Sequence, residues 1–515
     1  MGATANRVVK NTGYLYMKMC ITMFISLLTT RLILNSLGAS DFGIFNIVGG
    51  AIAMLGFLNA AMAGATQRFL SYSEGEGDKE KQKTIFNISI VLHAAIAATA
   101  GIALIVMGYF FFRGILNIPP ERMTAAKVVY GCLVASTLFT VMSVPYNALI
   151  NAHENMRYWA MIGVFESLLK LSVAVAVVYS SADKLIVYGI LMACIPFVVR
   201  IILRIYCHRH YEECVFAPFR YFNKSTAKEM TSFAGWNFIF SATSMISFYG
   251  NGVVLNHFFG TLLNAAQGIA GDVNGKLNVF ASGMLTSINP VITKSEGAGN
   301  RERMIKTTLT GCKWSFLLFA IVAIPMLVET PYVLRIWLKN VPDWAVVFVR
   351  LQLVATMISS TTGLLGTSIF AVGKVKQYCK TMSLVNFLSI VLTYAAFAMG
   401  GSPVFMYVVF IAIQGIAQSV IRLYYAKKDC SLHITDHLRH VMVPCLTVSV
   451  VSIAAGVSFH LYLSEGVTRM LLALTAVVVS FVLTLWALGV SEKEREALRN
   501  VATKIIPDRI AGLRK

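Results

Sequence analysis

The sequence predicts an all-α membrane protein of about 14 transmembrane helices, arranged as two parallel six-helix repeats plus two extra C-terminal helices. Three observations predict it. Of 515 residues, 57% are hydrophobic and only 13% charged, with a mean hydropathy of +0.69, whereas soluble domains carry nearer 25% charge. Apolar runs of roughly 20 residues, the length that crosses about 30 Å of hydrocarbon, recur along the whole chain. One polar segment also returns at a fixed offset. This composition excludes a cytosolic enzyme, a nucleic-acid-binding domain and a disordered scaffold.

The chain begins with a polar, basic segment (Arg7, Lys10). The apolar run behind it is too long for a signal-peptide core and lacks a small-residue cleavage site, so it is read as a retained first span. In order, spans are expected at 14–36, 42–69, 85–112, 124–150, 156–180, 185–206, 231–257, 263–291, 306–328, 343–370, 377–398, 404–425, 440–463 and 468–489. These are continuous apolar runs rather than alternating ten-residue strands, which excludes a β-barrel.

The net charge is +20, from 44 Lys+Arg and 24 Asp+Glu. In a membrane protein this excess reports sidedness. With the N-terminus set inside and the spans alternating, about 32 of the 44 basic residues fall on the cytoplasmic side and about 8 on the other. Four are assigned to the spans: Lys18, Arg31, Lys170 and Lys276. The reading therefore places both termini in the cytoplasm.

Residues 73–81 read SEGEGDKEK and residues 295–303 read SEGAGNRER, an offset of 222 residues. The same offset pairs Gly13 with Gly235, Gly38 with Gly260, Gly49 with Gly271 and Gln67 with Asn289. An even number of spans per unit gives a parallel repeat. The expected organisation is an N-lobe at 1–210 (spans 1–6), a C-lobe at 225–430 (spans 7–12), extra spans 13 and 14 at 431–490, and a basic cytoplasmic tail at 491–515. Ser491 with Glu494 forms a capping box there, predicting a short helix on the membrane surface.

Ionisable and amide groups inside spans are costly and mark cavities or partners. Arg31 lies in span 1 with Asn35 one turn on. It either lines a cavity that takes an anionic group or reaches back to the nearer interface. Lys18 lies near the span end and is expected to reach the interface. Glu166 and Lys170, spaced i, i+4, form either a self-neutralising pair or an ion-sensitive switch. Span 8 carries a stripe that includes Gln267, Gly268, Gly271, Asn274, Gly275, Asn278 and Ser282, bordered by Asp272 and Lys276 at i, i+4. The stripe reads equally as a close helix seam or as a hydrated wall. Asn59, Ala63 and Gln67 form a weaker stripe on span 2.

The nine cysteines show no C-x-x-C pair and no metal-ligand spacing, and are read as small buried hydrophobes. No P-loop, H-E-x-x-H or G-x-S-x-G occurs, and no cofactor is expected.

The segment from Arg31 to Gly49, centred on Leu37-Gly38-Ala39-Ser40-Asp41-Phe42-Gly43 and followed by the SEGEGDKEK loop, resembles the polysaccharide-unit flippases of the multidrug/oligosaccharidyl-lipid/polysaccharide (MOP) exporter superfamily. The resemblance covers about 1–430. It implies a two-lobed fold like that of multidrug and toxin extrusion (MATE) transporters, alternating access and a cation-lined cavity. It also implies movement of undecaprenyl-diphosphate-linked oligosaccharide (O-antigen, capsule or exopolysaccharide units) from the cytoplasmic to the periplasmic leaflet of a bacterial inner membrane. The implied partners are this lipid-linked oligosaccharide and membrane lipids, with a polysaccharide polymerase and glycosyltransferases alongside. A monomer that is not an enzyme is expected. On this reading Arg31 meets the diphosphate, the amides of span 8 meet sugar, and spans 13 and 14 lie against the lipid tail. The competing readings are a cation-coupled MATE-type drug exporter, a lipid II flippase and a membrane-embedded glycosyltransferase. The last usually carries a large outer loop, which this chain lacks.

Overall fold

The computed structural model describes residues 2–53, 56–115, 118–338, 340–490 and 494–495. Among them every long element is a helix and no strand occurs. The first group is α1 (Gly2–Ala53), α2 (Gly56–Glu76), α3 (Lys79–Phe110), α4 (Met123–Ala152), α5 (Met156–Val178), α6 (Lys184–His210) and a short α7 (Pro218–Tyr221). The second is α8 (Lys224–Phe259), α9 (Thr261–Gly297), α10 (Arg301–Leu338), α11 (Ala345–Ser360), α12 (Gly363–Val372), α13 (Val375–Ala398), α14 (Val404–Phe410) and α15 (Gln418–Cys430). A π-helical turn (Ile411–Ala417) joins the last two. A final hairpin comprises α16 (Ile434–His437), α17 (Val443–Tyr462) and α18 (Val467–Thr484).

Twelve helical segments among the described residues are long and apolar enough to cross a membrane. They correspond to spans 1, 3–7 and 9–14 of the sequence reading. Spans 2 and 8 are also helical, but α2 and α9 carry glycine, alanine, hydroxyls and amides where the others carry aliphatic side chains. The predicted helix of the tail lies outside the described residues, apart from Glu494 and Arg495.

The chain packs as two compact units. One comprises Asn11–Ser241 with Thr293–Gly299, the other Met1–Lys10, Ala242–Ile292 and Asn300–Lys515. They are called the N-unit and the C-unit below. In the N-unit, Leu104, Val129 and Leu185 are fully buried where α3, α4 and α6 meet. Arg122 ties one end of this bundle together. Its Nε donates to Asp41 Oδ1 at 2.8 Å, and Nη1 donates to Asp183 Oδ2 at 2.7 Å.

The 222-residue repeat recurs as local geometry. Gly38 breaks α1 at φ +76°, and Gly260 separates α8 from α9 at φ +77°, a region that costs L-residues but not glycine. Gly77 and Gly299 take φ +76° and +70° at the helix ends that follow. Asp78 then caps α3 by accepting from Lys81 N at 2.9 Å, and Asn300 caps α10 by accepting from Arg303 N at 2.9 Å.

The same repeat makes a contact. A Cβ on Gly75 would stand 2.2 Å from the Lys294 carbonyl oxygen, and one on Gly297 would stand 2.1 Å from that of Tyr72. The ends of α2 and α9 therefore cross backbone to backbone, each glycine against the other's partner at the repeat offset. The SEGEG and SEGAG segments supply the two residues without side chains that this crossing needs. Alanine at either place would force the helix ends apart.

Helix α10 runs beyond the expected end of span 9 because its prolines kink it without ending it. Its backbone departs from helical at Glu329 (φ −101°, ψ 21°), between Pro325 and Pro331. Pro331 has no N–H for the Leu327 carbonyl four residues back. Arg350 Nε takes that acceptor at 3.0 Å, and its Nη2 takes the Val328 carbonyl at 3.2 Å. The final hairpin is fastened to α10 near both ends. Arg469 grips Glu329 with two bonds of 3.1 Å, and Arg335 pairs with Glu465 at 2.9 Å. At the other end Lys313 meets Glu494 at 2.6 Å and the Gly489 carbonyl at 3.2 Å. Between them, a Cβ on Gly456 would stand 2.5 Å from Val477 and 3.1 Å from Val328, so the three helices touch closely.

Candidate functional site

In the N-unit, Arg31 and Asn35 are exposed on one face of α1, among the exposed Leu27, Leu28 and Leu34. No ion pair or hydrogen bond joins Arg31 to another side chain among the described residues. Lys18 packs against α5. Its Nζ lies 3.6 Å from the Trp159 ring centroid, and its stem fills the space a side chain on Gly163 would need. Glu166 and Lys170 form their expected pair on α5 at 2.7 Å. Gln67 is half-buried in α2, while its repeat counterpart Asn289 accepts from Thr367 Oγ1 at 3.0 Å.

Two cavities lie among the described residues of the C-unit. The first, ≈ 630 Å³, lies between α8 and α9 and is lined by Gln267, Gly268, Gly271 and Asp272 together with Tyr249 and Asn256. Gln267 seats its amide against Gly252, where a Cβ would be 3.0 Å from Oε1. The second, ≈ 440 Å³, takes Asn274 and Asn278 from the same face of α9 and adds residues of α8, α10, α11 and α13 and the π-helical turn. The span-8 stripe therefore supplies the wall of both cavities. Lys276 lies over Trp337, with Nζ 5.0 Å from the ring centroid. No ion pair between Lys276 and Asp272 is present, because the aromatic face across the helix boundary holds the ammonium instead.

Only four basic residues were assigned to the spans, but others also fall within them, among them Arg68 in span 2 and Arg422 in span 12. Arg68 on α2 lies over Phe69, Tyr72 and Phe233, at 4.6, 4.7 and 5.5 Å from their centroids. Arg422 on α15 donates to Ser359 Oγ at 3.1 Å, Thr362 Oγ1 at 3.3 Å and Gln418 Oε1 at 3.2 Å. Gln418 Nε2 then donates to Asn386 Oδ1 at 2.8 Å, and Asn386 Nδ2 to Ser244 Oγ at 2.9 Å. A guanidinium only donates, so it fixes the direction of this whole chain of amides, whose members line the second cavity. The signal was legible: Gln414, Gln418 and Arg422 stand at i, i+4 and i+8.

Beyond the apolar run of α2, the end of that helix carries a cluster no spacing could reveal. His153, which caps α4, lies between Glu213 (to Nε2) and Glu74 (Nδ1 to Oε1, 3.4 Å), stacked on Tyr211 at 4.2 Å. Lys79 and Lys294 approach the same carboxylates: Lys79 is 3.7 Å from Glu213, and Lys294 is 3.7 Å from Glu74 and 3.3 Å from Glu154. Ligand atoms of Glu74, His153 and Glu213 lie within 4.8 Å of one another, as for a metal ion. Each of these carboxylates already faces His153 or a lysine, so the cluster has ion-pair partners without one.

Burial opposes charge on His153, but the two facing carboxylates prevail and raise its pKa. Burial likewise opposes ionisation of Glu74, and His153, Lys294 and Lys79 overcome it, holding the carboxyl at about 2. The histidine contribution to stability is full below its unfolded value near 6.5 and is lost as pH rises through the raised folded value. The Glu74 contribution is full above about 4.5 and is lost as pH falls towards 2. Thermal unfolding at a series of pH values is expected to show the His153→Ala variant destabilised at pH 5.5–6.5, with its deficit shrinking by pH 9 (roughly two to three units above the ordinary histidine value). A deficit independent of pH would contradict this.

Solved structures sharing this fold include an outward-facing multidrug resistance MATE family transporter of the MOP superfamily, at TM-score 0.71 and 14% identity, with 83% of this chain and 96% of that one covered. A MATE in the bent conformation gives TM-score 0.71 at 14% identity, covering 84% of this chain and 98% of that one. A MOP superfamily transporter from Pyrococcus furiosus gives TM-score 0.68 at 13% identity, covering 83% and 96%. The fold is thus that of MOP superfamily membrane transporters. The family model described as polysaccharide biosynthesis protein matches residues 8–296, more than half of the chain, and the chain belongs to that family. This bears out the resemblance read from Leu37–Gly43 and the SEGEGDKEK loop. No curated protein matches the chain.

Proposed function

We propose that the chain is a flippase of the bacterial inner membrane, both termini cytoplasmic. It moves undecaprenyl-diphosphate-linked oligosaccharide from the cytoplasmic to the periplasmic leaflet by alternating access, and it is a transporter rather than an enzyme. The observation that carries the reading is Arg31, a cation on α1 with no side-chain partner among the described residues, in a chain of the polysaccharide biosynthesis family. A diphosphate cannot cross hydrocarbon uncompensated, and a guanidinium meets phosphate oxygens in a fork. Asn35, one turn on from Arg31, and Gln67 on α2 are further polar groups of the N-unit, and Gln267, Asn274 and Asn278 offer hydrogen bonds to sugar. Glu166, Lys170, Asp272 and Lys276 are the candidates for ion coupling. Of these, Asp272 stands without a salt-bridge partner on the rim of a cavity, whereas Glu166 and Lys170 neutralise each other.

A strain lacking the gene tests this. The expected outcome is loss of surface polysaccharide and accumulation of lipid-linked oligosaccharide, with unchanged tolerance of organic cations. Intact surface polysaccharide with increased sensitivity to organic cations would instead favour the drug-export reading.

A further inference from the structure

We propose that the ≈ 440 Å³ cavity of the C-unit is a binding site for one neutral sugar ring. The inference rests on the flippase reading for its biological meaning, but not for its test.

Six carboxamides line this cavity. Asn386 and Gln418 belong to the chain that starts at Arg422, which leaves Asn274, Asn278, Gln352 and Gln414. None of these four is hydrogen-bonded to another group among the described residues. The Asn274 Oδ1 and Ser315 Oγ atoms are buried with no partner at all, and Ser315 is only 3% exposed. Buried polar atoms are almost always satisfied, so orphans that converge on one cavity mark where a ligand's polar atoms go. A carboxamide presents a donor pair and an acceptor side by side. That suits the vicinal hydroxyls of a pyranose, each of which both gives and accepts. Phe248 adds an aromatic face for the C–H side of a ring.

The charge balance selects against other ligands. No lining residue is ionisable, and the Arg422 guanidinium is bonded to Gln418 and Ser359 of the wall. A cation here would lack a counter-charge and face a guanidinium. The volume falls within the range of small-molecule sites. The backbone is also specialised, since Gln414 projects from a π-helical turn in an otherwise α-helical span. Such turns cost regular hydrogen bonding and are frequent at functional sites.

The direct test is saturation-transfer NMR on the purified full-length chain with glucose, galactose and N-acetylglucosamine at millimolar concentration. Transfer to at least one sugar is expected. It should fall roughly fivefold or more in Gln414→Leu and in Gln352→Leu, each of which removes hydrogen bonds at nearly constant volume. Tetraphenylphosphonium should not displace the sugar. The unfolding temperature of each variant shows that it is folded, and the two lie on different helices, so a folding failure of one leaves the other. Transfer from no sugar, transfer undiminished in both variants, or displacement by tetraphenylphosphonium would each overturn the proposal. Sugar binding by a chain that fails to translocate lipid-linked oligosaccharide would refute the flippase reading and leave this site standing.

Discussion

Arg31→Ala is expected to abolish surface-polysaccharide export at normal expression while leaving the protein folded and in the membrane. The side chain is exposed on α1 and holds no hydrogen-bond or ion-pair partner among the described residues, so its removal orphans nothing there. What is lost is the group proposed to compensate the diphosphate. Arg31→Lys keeps the charge but replaces a bidentate fork with a point charge, and is expected to retain part of the export. Full export in Arg31→Ala, at wild-type protein level, would remove Arg31 from the site.

The second large effect is on stability. Glu329 is completely buried at the kink of α10, gripped by both oxygens from Arg469. His460 Nε2 lies 3.1 Å from the same carboxylate but out of hydrogen-bonding geometry. Arg469→Met leaves a buried carboxylate without its main partner, which costs about 3–5 kcal/mol. Replacing both partners, as in Arg469→Met with Glu329→Gln, removes the stranded charge and is expected to recover much of that loss. Thermal unfolding of the two variants in one detergent measures the difference. An Arg469→Met protein as stable as the wild type would contradict the account. Deleting 440–489 would likewise strand Glu329 and Lys313, so in that variant stability has to be measured before any role of spans 13 and 14 in holding a lipid tail.

Twelve of the expected spans were legible because hydropathy and length alone set them, and their ends were not, because prolines such as Pro331 kink without terminating. The repeat was legible too, and its glycines and caps took the geometry that glycine, Asp78 and Asn300 imply. That Gly75 and Gly297 lie against each other's backbone partners was hidden, because a repeat reports similarity and not contact. Asn274 and Asn278 were found as a polar helical stripe, and whether that stripe faced a seam or a cavity depended on α8, α10, α11 and α13. Lys276 was expected beside Asp272 from spacing within one helix, but Trp337 of a different helix holds it. Arg422 escaped because it sits near the end of a span and was counted with the basic loop after it. Glu74, His153 and Glu213 come from three distant parts of the chain, and only the folded end of α2 assembles them.

The central claim is translocation of a diphosphate-linked sugar. The most direct measurement reconstitutes the purified chain into liposomes holding undecaprenyl-diphosphate-linked oligosaccharide and follows the fraction of sugar accessible to an added glycosidase. The account predicts that wild-type protein moves protected sugar into the accessible leaflet and that Arg31→Ala does not. Sugar that stays protected with folded wild-type protein, in liposomes where the same protein transports organic cations, would contradict it.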